Sequence, residues 1–347
     1  MRCLIQNEAG KLDLPFSEDS IVFSRDSFEL YKQFNKEKFS EVIEIPSFLE
    51  DLAKTVIAKH RQCTDLIVNE FDTKIGKNLD NRKVIIGFSS GLDSVYQTIC
   101  LLEKGYDVTL FFLKNINTYE NGQSTKAVDR IFDILGTRFN SKVHLLEGSI
   151  SKNSKKENEW RQHWPENPIK NQLILSIMAD YALQNEIGLL SLGDDFGLSI
   201  DDAVLGINLT DARELTQSFL KGLSQVCELR FLKVDRSSKF ERLMKLSSYN
   251  LLDEFYSCVQ AGRFNKMFHE KAEKKFNVKL FAHNCGCYCR KCAMHNLLLH
   301  YGHIKRFSDE FVDACWKVMW KNSYSSDYEF FKPDLSIEER LKNLFEY

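Results

Sequence analysis

The chain reads as an α/β protein: an open, mostly parallel sheet with helices on both faces, an N-terminal extension and a helical C-terminal part. Two observations carry this expectation. Between residues 84 and 192, short apolar runs alternate with segments of helical periodicity, the pattern of repeated βα units. Within that stretch Asp107–Leu113 is apolar at nearly every position, as a strand covered on both faces must be.

In chain order, Cys3–Gln6, Ser20–Ser24 and Val42–Ile45 read as short strands before Pro46. Ser47 and Glu50 have the spacing of a capping box, and Leu49, Leu52, Val56, Ile57 and Leu66 carry a helical stripe on to about Phe71. Residues 75–82 read as a linker. Val84–Phe88 is then a strand and 93–104 a helix stopped by Gly105. A helix over Ser124–Leu135, a strand at Lys142–Leu146 and a polar, lid-like loop at 151–163 follow. Residues 168–182 make a long helix and Ile187–Leu192 a strand ending in Gly193. Beyond a short strand at Glu228–Val234 the pattern turns helical, over Lys239–Leu246, Leu251–Val259 and an aromatic tail with Phe311, Trp316 and Trp320 on one stripe. The expected division is 1–78 as an accessory region, 79–245 as a nucleotide-binding domain and 246–347 as a zinc-binding helical region.

Composition limits the function classes. With 43% hydrophobic and 28% charged residues the chain has a globular make-up. Lys+Arg 47 against Asp+Glu 49 makes it near neutral, so a broad nucleic-acid face is not expected. The opening MRCLIQNEAG has no apolar run, and no window reaches the roughly 18 apolar residues of a membrane span. Ten cysteines without a secretory signal point to a reducing, cytoplasmic setting and to metal rather than disulfides.

The stretch Lys83-Val-Ile-Ile-Gly-Phe-Ser-Ser-Gly-Leu-Asp-Ser94 leads a strand through a small-residue turn into a helix. Such a turn cradles phosphate, because backbone N–H groups and the helix dipole point at the anion and small side chains let it approach. No Lys follows Gly91, so this is not a Walker-type loop. Hydroxyls, N–H donors and a magnesium ion near Asp93 must do the work of that lysine. The second signal is Cys285, Cys287, Cys289 and Cys292, four thiols within eight residues. Their spacing suits tetrahedral zinc. Four such close ligands strain the backbone, so a distant Cys258 beside Cys285, Cys289 and Cys292 is the preferred set, with Cys287 or His295 as substitutes.

Phe88-Ser-Ser-Gly-Leu-Asp-Ser94 resembles the SGGxDS loop of the PP-loop ATP pyrophosphatase superfamily, with Ser90 where that pattern has glycine. Pro168-Ile-Lys-Asn171, Tyr256-Ser-Cys258 and Asn284–Cys292 resemble the corresponding elements of its QueC branch, the 7-cyano-7-deazaguanine synthases, over roughly residues 83 to 300. The added N-terminal residues resemble QueC-like proteins of anti-phage defence. The resemblance implies an adenine nucleotide alpha hydrolase-like fold. It implies ATP-, Mg2+- and Zn2+-dependent adenylation of a deazaguanine-type carboxylate, followed by amidation, nitrile formation or conjugation to a partner protein. Its catalytic residues would be Asp93, Ser94 and Lys170. ATP would contact Phe88, Ser89, Ser90, Gly91, Leu92, Asp93, Ser94, Gly193 and Lys239, and a purine-like small molecule would meet Asn171, Asp195 and Asp211. On this reading nucleic acid is not a partner. Two alternatives stay open: ATP-dependent sulfur transfer to a base or tRNA, and a catalytically silent nucleotide-binding scaffold.

Overall fold

The computed structural model describes residues 2–7, 10–33, 42–60, 65–71, 78–116, 123–140, 142–152, 169–193, 209–232, 237–258 and 262–321. The chain opens with a hairpin of β1 (Cys3–Asn7) and β2 (Gly10–Leu14), paired Cys3↔Leu14. Alternation buries Cys3, Ile5, Leu12 and Leu14 and leaves Leu4 outside. The strand expected at Ser20–Ser24 is not formed. Glu18–Ser20 is a single 3-10 turn, and Ser24 begins helix α1 (Ser24–Gln33). The cause is remote: the Asp180 carboxylate accepts the N–H groups of Val22 (3.0 Å), Phe23 (2.8 Å) and Ser24 (2.9 Å), as well as the Ser24 hydroxyl.

Strand β3 (Val42–Pro46) runs through a turn at Ser47–Leu49 into α2 (Glu50–His60). The helix does not extend to residue 71. Asp65–Asn69 is instead β4, paired parallel with β3, where the β-branched Ile67 and Val68 favour the extended form. Nor does Ser47 cap the helix; its hydroxyl accepts the Phe71 N–H at 3.2 Å.

The central sheet then builds in βα steps: β5 (Asp80–Gly87), α3 (Leu92–Glu103), β6 (Asp107–Lys114), α4 (Gln123–Arg138), β7 (Val143–Lys152), α5 (Lys170–Gln184), β8 (Ile187–Leu192), α6 (Leu209–Val226), β9 (Arg230–Phe231) and α7 (Lys239–Ser248). Spatial order is β1-β2-β7-β6-β5-β8-β9. All neighbours from β7 to β9 pair parallel, and the hairpin adds antiparallel through Leu12↔Ile150. Alternate residues feed two cores. Ile85, Phe111, Leu190 and Leu192 face α5, α6 and the N-terminal region, whereas Val84, Ile86, Leu110 and Phe112 face α3, α4 and the C-terminal helices. The polar 151–163 loop lies almost wholly outside the described residues, as do Trp160 and Trp164.

Helix α7 starts at a capping box, with Ser238 Oγ accepting the Glu241 N–H at 3.1 Å and Glu241 accepting the Ser238 N–H at 2.6 Å. The helix expected over 251–259 is replaced by turns and extended chain up to Cys258. Helices α8 (Gly262–Phe276), α9 (Arg290–Tyr301) and α10 (Asp309–Lys321) complete the described chain, with Phe311 and Trp316 buried as the stripe requires. Among the described residues no helix is long and apolar enough to cross a membrane.

Candidate nucleotide loop and metal centre

From β5 the sheet grows both ways, to β6 and β7 on one side and to β8 and β9 on the other. Loops leaving β5 and β8 therefore flank a topological switch point, where open α/β sheets bind ligands. Phe88–Gly91 is the first of these loops, and Leu92, Asp93 and Ser94 form the opening turn of α3. Gly193, just past β8, presses against that turn: a Cβ there would stand 2.5 Å from Ser94 Cα and 2.7 Å from its nitrogen. A side chain at 193 would push the two loops apart.

Inside the loop the polar groups are held loosely. Ser89 N–H donates to Ser94 Oγ at 3.3 Å, and Gly91 N–H to Ser89 Oγ at 3.4 Å. Bonds this long are weak and exchange readily for shorter ones to phosphate oxygens at a helix N-terminus. Phe88 and Leu92 are buried among core side chains, so each offers the site backbone only. Ser90 has φ 56, the left-handed region. A residue with a Cβ pays about 1 kcal/mol there relative to glycine, and the buried Ser90 hydroxyl makes no hydrogen bond.

Asp93 is the charged centre of the site. Its Oδ1 receives Lys239 Nζ at 2.6 Å and Arg242 Nη1 at 2.5 Å, both from the first turn of α7. Burial alone would raise this carboxyl, but the two cations overcome it and hold Asp93 well below the usual carboxylate range. Lys239 and Arg242 are themselves only 6% and 3% exposed, against 35% for Asp93, so two cations are concentrated behind one carboxylate. Arg242 was missed by sequence reading. Its signal was the Lys239-x-x-Arg242 spacing, which places both side chains on one helical face.

Cys258, Cys285, Cys289 and Cys292 are all buried, with their sulfur atoms within 4.8 Å of one another. With Zn–S bonds of about 2.3 Å, tetrahedral ligands stand roughly 3.8 Å apart, and Cys258 Sγ is 4.0 Å from Cys289 Sγ. The Cys285 N–H points at Cys292 Sγ (3.4 Å) and the Cys292 N–H at Cys289 Sγ (3.5 Å), which suits sulfur atoms carrying negative charge. Hydrogen bonding to neighbouring thiols, Cys258 first, pushes Cys285 and Cys292 well up, whereas at Cys289 the raising bond with Cys258 is outweighed by those with Cys285 and Cys292 and the thiol is lowered. The donor set fits a metal ion. Cys287 belongs instead to the core around α10, and His295, driven down to about 3 by burial first and then by Lys239, lies outside the quartet.

The two centres share a tripeptide. Tyr256 N–H donates to Ser90 O at 2.8 Å, Ser257 Oγ accepts the Leu92 N–H at 2.9 Å, and Cys258 is in the quartet. Ser257 therefore caps α3 from 165 residues away. Sequence reading used this stretch for its cysteine and missed its serine.

Lys170 and Asn171 are half-buried in the first turn of α5. Asp195 lies outside the described residues, and Asp211 is in α6 with its side chain outside them.

No family model matches this chain. It is 32% identical over 77 residues to the tRNA-specific 2-thiouridylase MnmA of Vesicomyosocius okutanii subsp. Calyptogena okutanii (strain HA), a match covering 21% of this chain and 21% of that protein. The chain thus spans about a fifth of that relative's length. Two solved structures are similar in outline. They are the U34-tRNA thiolase NcsA from Methanococcus maripaludis with its [4Fe-4S] cluster (14% identity, 66% of this chain and 74% of that one, TM-score 0.33) and an NMN synthetase from Francisella tularensis (10%, 83% and 96%, TM-score 0.28). Superpositions that loose carry no argument.

The sequence match corrects the QueC-type reading, and with it the deazaguanine carboxylate and its adenylation. The loop's chemistry is that of adenylation in general and four thiolates specify only a metal, so neither motif selects that branch. The exclusion of nucleic acid is corrected too, because the relative is named for tRNA. Whole-chain charge says nothing about a local basic face. What stands is an α/β fold with a large, mostly parallel sheet, a small-residue loop at its switch point and a four-cysteine cluster able to chelate a metal.

Proposed function

We propose that this chain is an ATP-dependent enzyme of the sulfur-transfer kind, activating a carbonyl oxygen on an RNA base. The observation that carries the proposal is the small-residue loop at the switch point, backed by Asp93, Lys239 and Arg242, in a chain whose sequence matches a tRNA thiouridylase. The loop N–H groups and the Ser89 and Ser94 hydroxyls hold the β- and γ-phosphates. Lys239 and Arg242 offset the charge that develops as pyrophosphate leaves the α-phosphorus. The base oxygen, joined to AMP, then becomes a leaving group; hydrosulfide adds at its carbon and AMP departs, converting C=O to C=S. Asp93 is the one acidic side chain seated in the loop, and its Oδ1 already faces two cations. A Mg2+ bound with ATP would therefore take its oxygens chiefly from the phosphates and water. The quartet would hold a zinc ion, which would fix the Tyr256–Cys258 segment against the loop.

Among the described residues outside the quartet, Cys3, Cys227, Cys287 and Cys315 are buried. Cys100 is half-buried in α3 with its thiol pushed up by burial, and Cys63 lies outside the described residues. We accordingly assign the sulfur to an external donor. The test supplies ATP, Mg2+, sulfide and unmodified tRNA to the metal-loaded chain. RNA-dependent pyrophosphate release and a thionucleoside in the digested RNA are expected. Pyrophosphate release indifferent to RNA and sulfide would overturn the reading.

A further inference from the structure

We infer that the outer face of α8, with Tyr288 from the cysteine loop, is a stacking surface for unpaired RNA nucleotides. The inference rests on the nucleic-acid reading above. Phe264, Met267, Phe268, Lys271 and Lys275 recur at i, i+3, i+4, i+7 and i+11, which puts them on one side of the helix. Phe264 is 41% and Met267 47% exposed, large apolar side chains on a helix whose buried positions (Asn265, Ala272, Phe276) lie elsewhere. The aromatic rings form a column. Phe264 stacks on Phe268 (centroids 6.4 Å, 26°) and Phe268 on Tyr288 (4.6 Å, 17°). Lys271 Nζ stands 5.5 Å from the centre of the Tyr288 ring.

Parallel rings with an exposed Phe264 at one end and a cation over Tyr288 at the other offer what an unpaired nucleotide requires: a flat π-face for the base and positive charge for its phosphate. The charge is local. Lys266, Lys271, Lys274 and Lys275 are exposed on this helix, against Glu270 as the exposed acid, in a chain of net charge −2. The place is apt as well. Phe268 and Tyr288 pack directly on the cysteine quartet, which is joined to the nucleotide loop through Cys258 and its neighbour Ser257. An RNA held on this face has its neighbouring nucleotides near the proposed chemistry. A protein partner would need carboxylates for the lysines and apolar groups for the rings, and would gain nothing from their parallel alignment.

The test measures binding of fluorescein-labelled unmodified tRNA, and of a 15-nucleotide oligouridylate, to the full metal-loaded chain by anisotropy. Phe264→Ala should weaken binding about tenfold, the size of one lost stack. Lys271→Glu with Lys275→Glu should weaken it further and flatten its salt dependence by about two phosphate contacts. Metal content and ATP affinity should be unchanged in both variants. Wild-type RNA affinity in both would overturn this surface while leaving the sulfur-transfer reading intact. Loss of ATP-dependent thiolation with normal RNA binding would instead indict the loop. Tighter, variant-sensitive binding of poly-glutamate than of either RNA would identify a protein partner and overturn the proposal.

Discussion

Two carboxylates show how differently this fold uses the same group. Asp180, on α5, is fully enclosed and meets only dipoles: three backbone N–H groups and a serine hydroxyl. Burial wins there, and its carboxyl is pushed up to about 6 despite those bonds. Asp93, on α3, meets two cations and is driven the other way. Dipoles suffice to fix a helix start; full charges are what keep a buried acid ionised. The first carboxylate ties the N-terminal region to α5, and the second lies in the candidate nucleotide loop.

The sharpest way to break this comparison is Asp93→Asn. The loop keeps its shape but loses the charge that aligns Lys239 and Arg242, so pyrophosphate release should fall about a hundredfold. An unchanged rate would remove Asp93 from the site. Metal removal separates the two regions next. Chelation should release the Tyr256–Cys258 segment and weaken nucleotide binding about tenfold, while hydrogen-exchange protection at Phe23 and Ser24 stays as it was. Equal losses in both places would mean global unfolding rather than a local link.

Asp180→Asn should do the converse. An amide N–H2 replaces an acceptor facing the Ser24 N–H and hydroxyl, which destabilises by about 1–3 kcal/mol in a urea melt without changing ATP affinity. The pH dependence has a definite sign. Because the folded value of Asp180 is raised to about 6, its titration contributes stability that is complete below about pH 4 and is lost as pH rises through 6. Asp93 has the opposite sign: its contribution is present above about pH 4 and lost as pH falls. The stability gap between wild type and Asp180→Asn should therefore change between pH 4 and 7, and the gap for Asp93→Asn below pH 4. The smallest effect expected is from Ser90→Gly, which relieves a left-handed serine and an unpartnered hydroxyl. It should add up to about 1 kcal/mol of stability with turnover unchanged or raised.

What could be read from the sequence was local. The strand Ile187–Leu192 was found to the residue, and α3 and β6 nearly so, because period, turn chemistry and apolar runs are properties of contiguous residues; β5 instead begins at Asp80, inside the stretch read as a linker. The cysteine quartet was legible because three of its members fall within eight residues. Arg242 and Ser257, and the start of α1, were not. Each depends on a partner about 150 residues away, Asp93, Leu92 and Asp180 respectively; the local pattern offered only the face that Arg242 shares with Lys239, and nothing for the other two. The helix drawn through Leu66 failed for a related reason: β4 exists because β3 lies beside it. The branch assignment failed because adenylation and metal binding are chemistries that unrelated substrates share.

The hairpin at the chain start also settles how this sheet meets its surroundings. A parallel sheet ending at β7 would leave a ten-residue row of backbone donors and acceptors open to any passing strand. Strand β2 occupies four of those positions, Ser149 to Lys152, and β1 turns the border antiparallel. On the opposite border β9, among the described residues, spans only Arg230 and Phe231, too little length to template a new strand. Outward growth is thus directed to β1, five residues long and followed in β2 by the Arg2–Asp13 ion pair's carboxylate and Lys11. A chain shortened past residue 14 would lose this border before it lost any residue of its site, and self-association would be its first symptom.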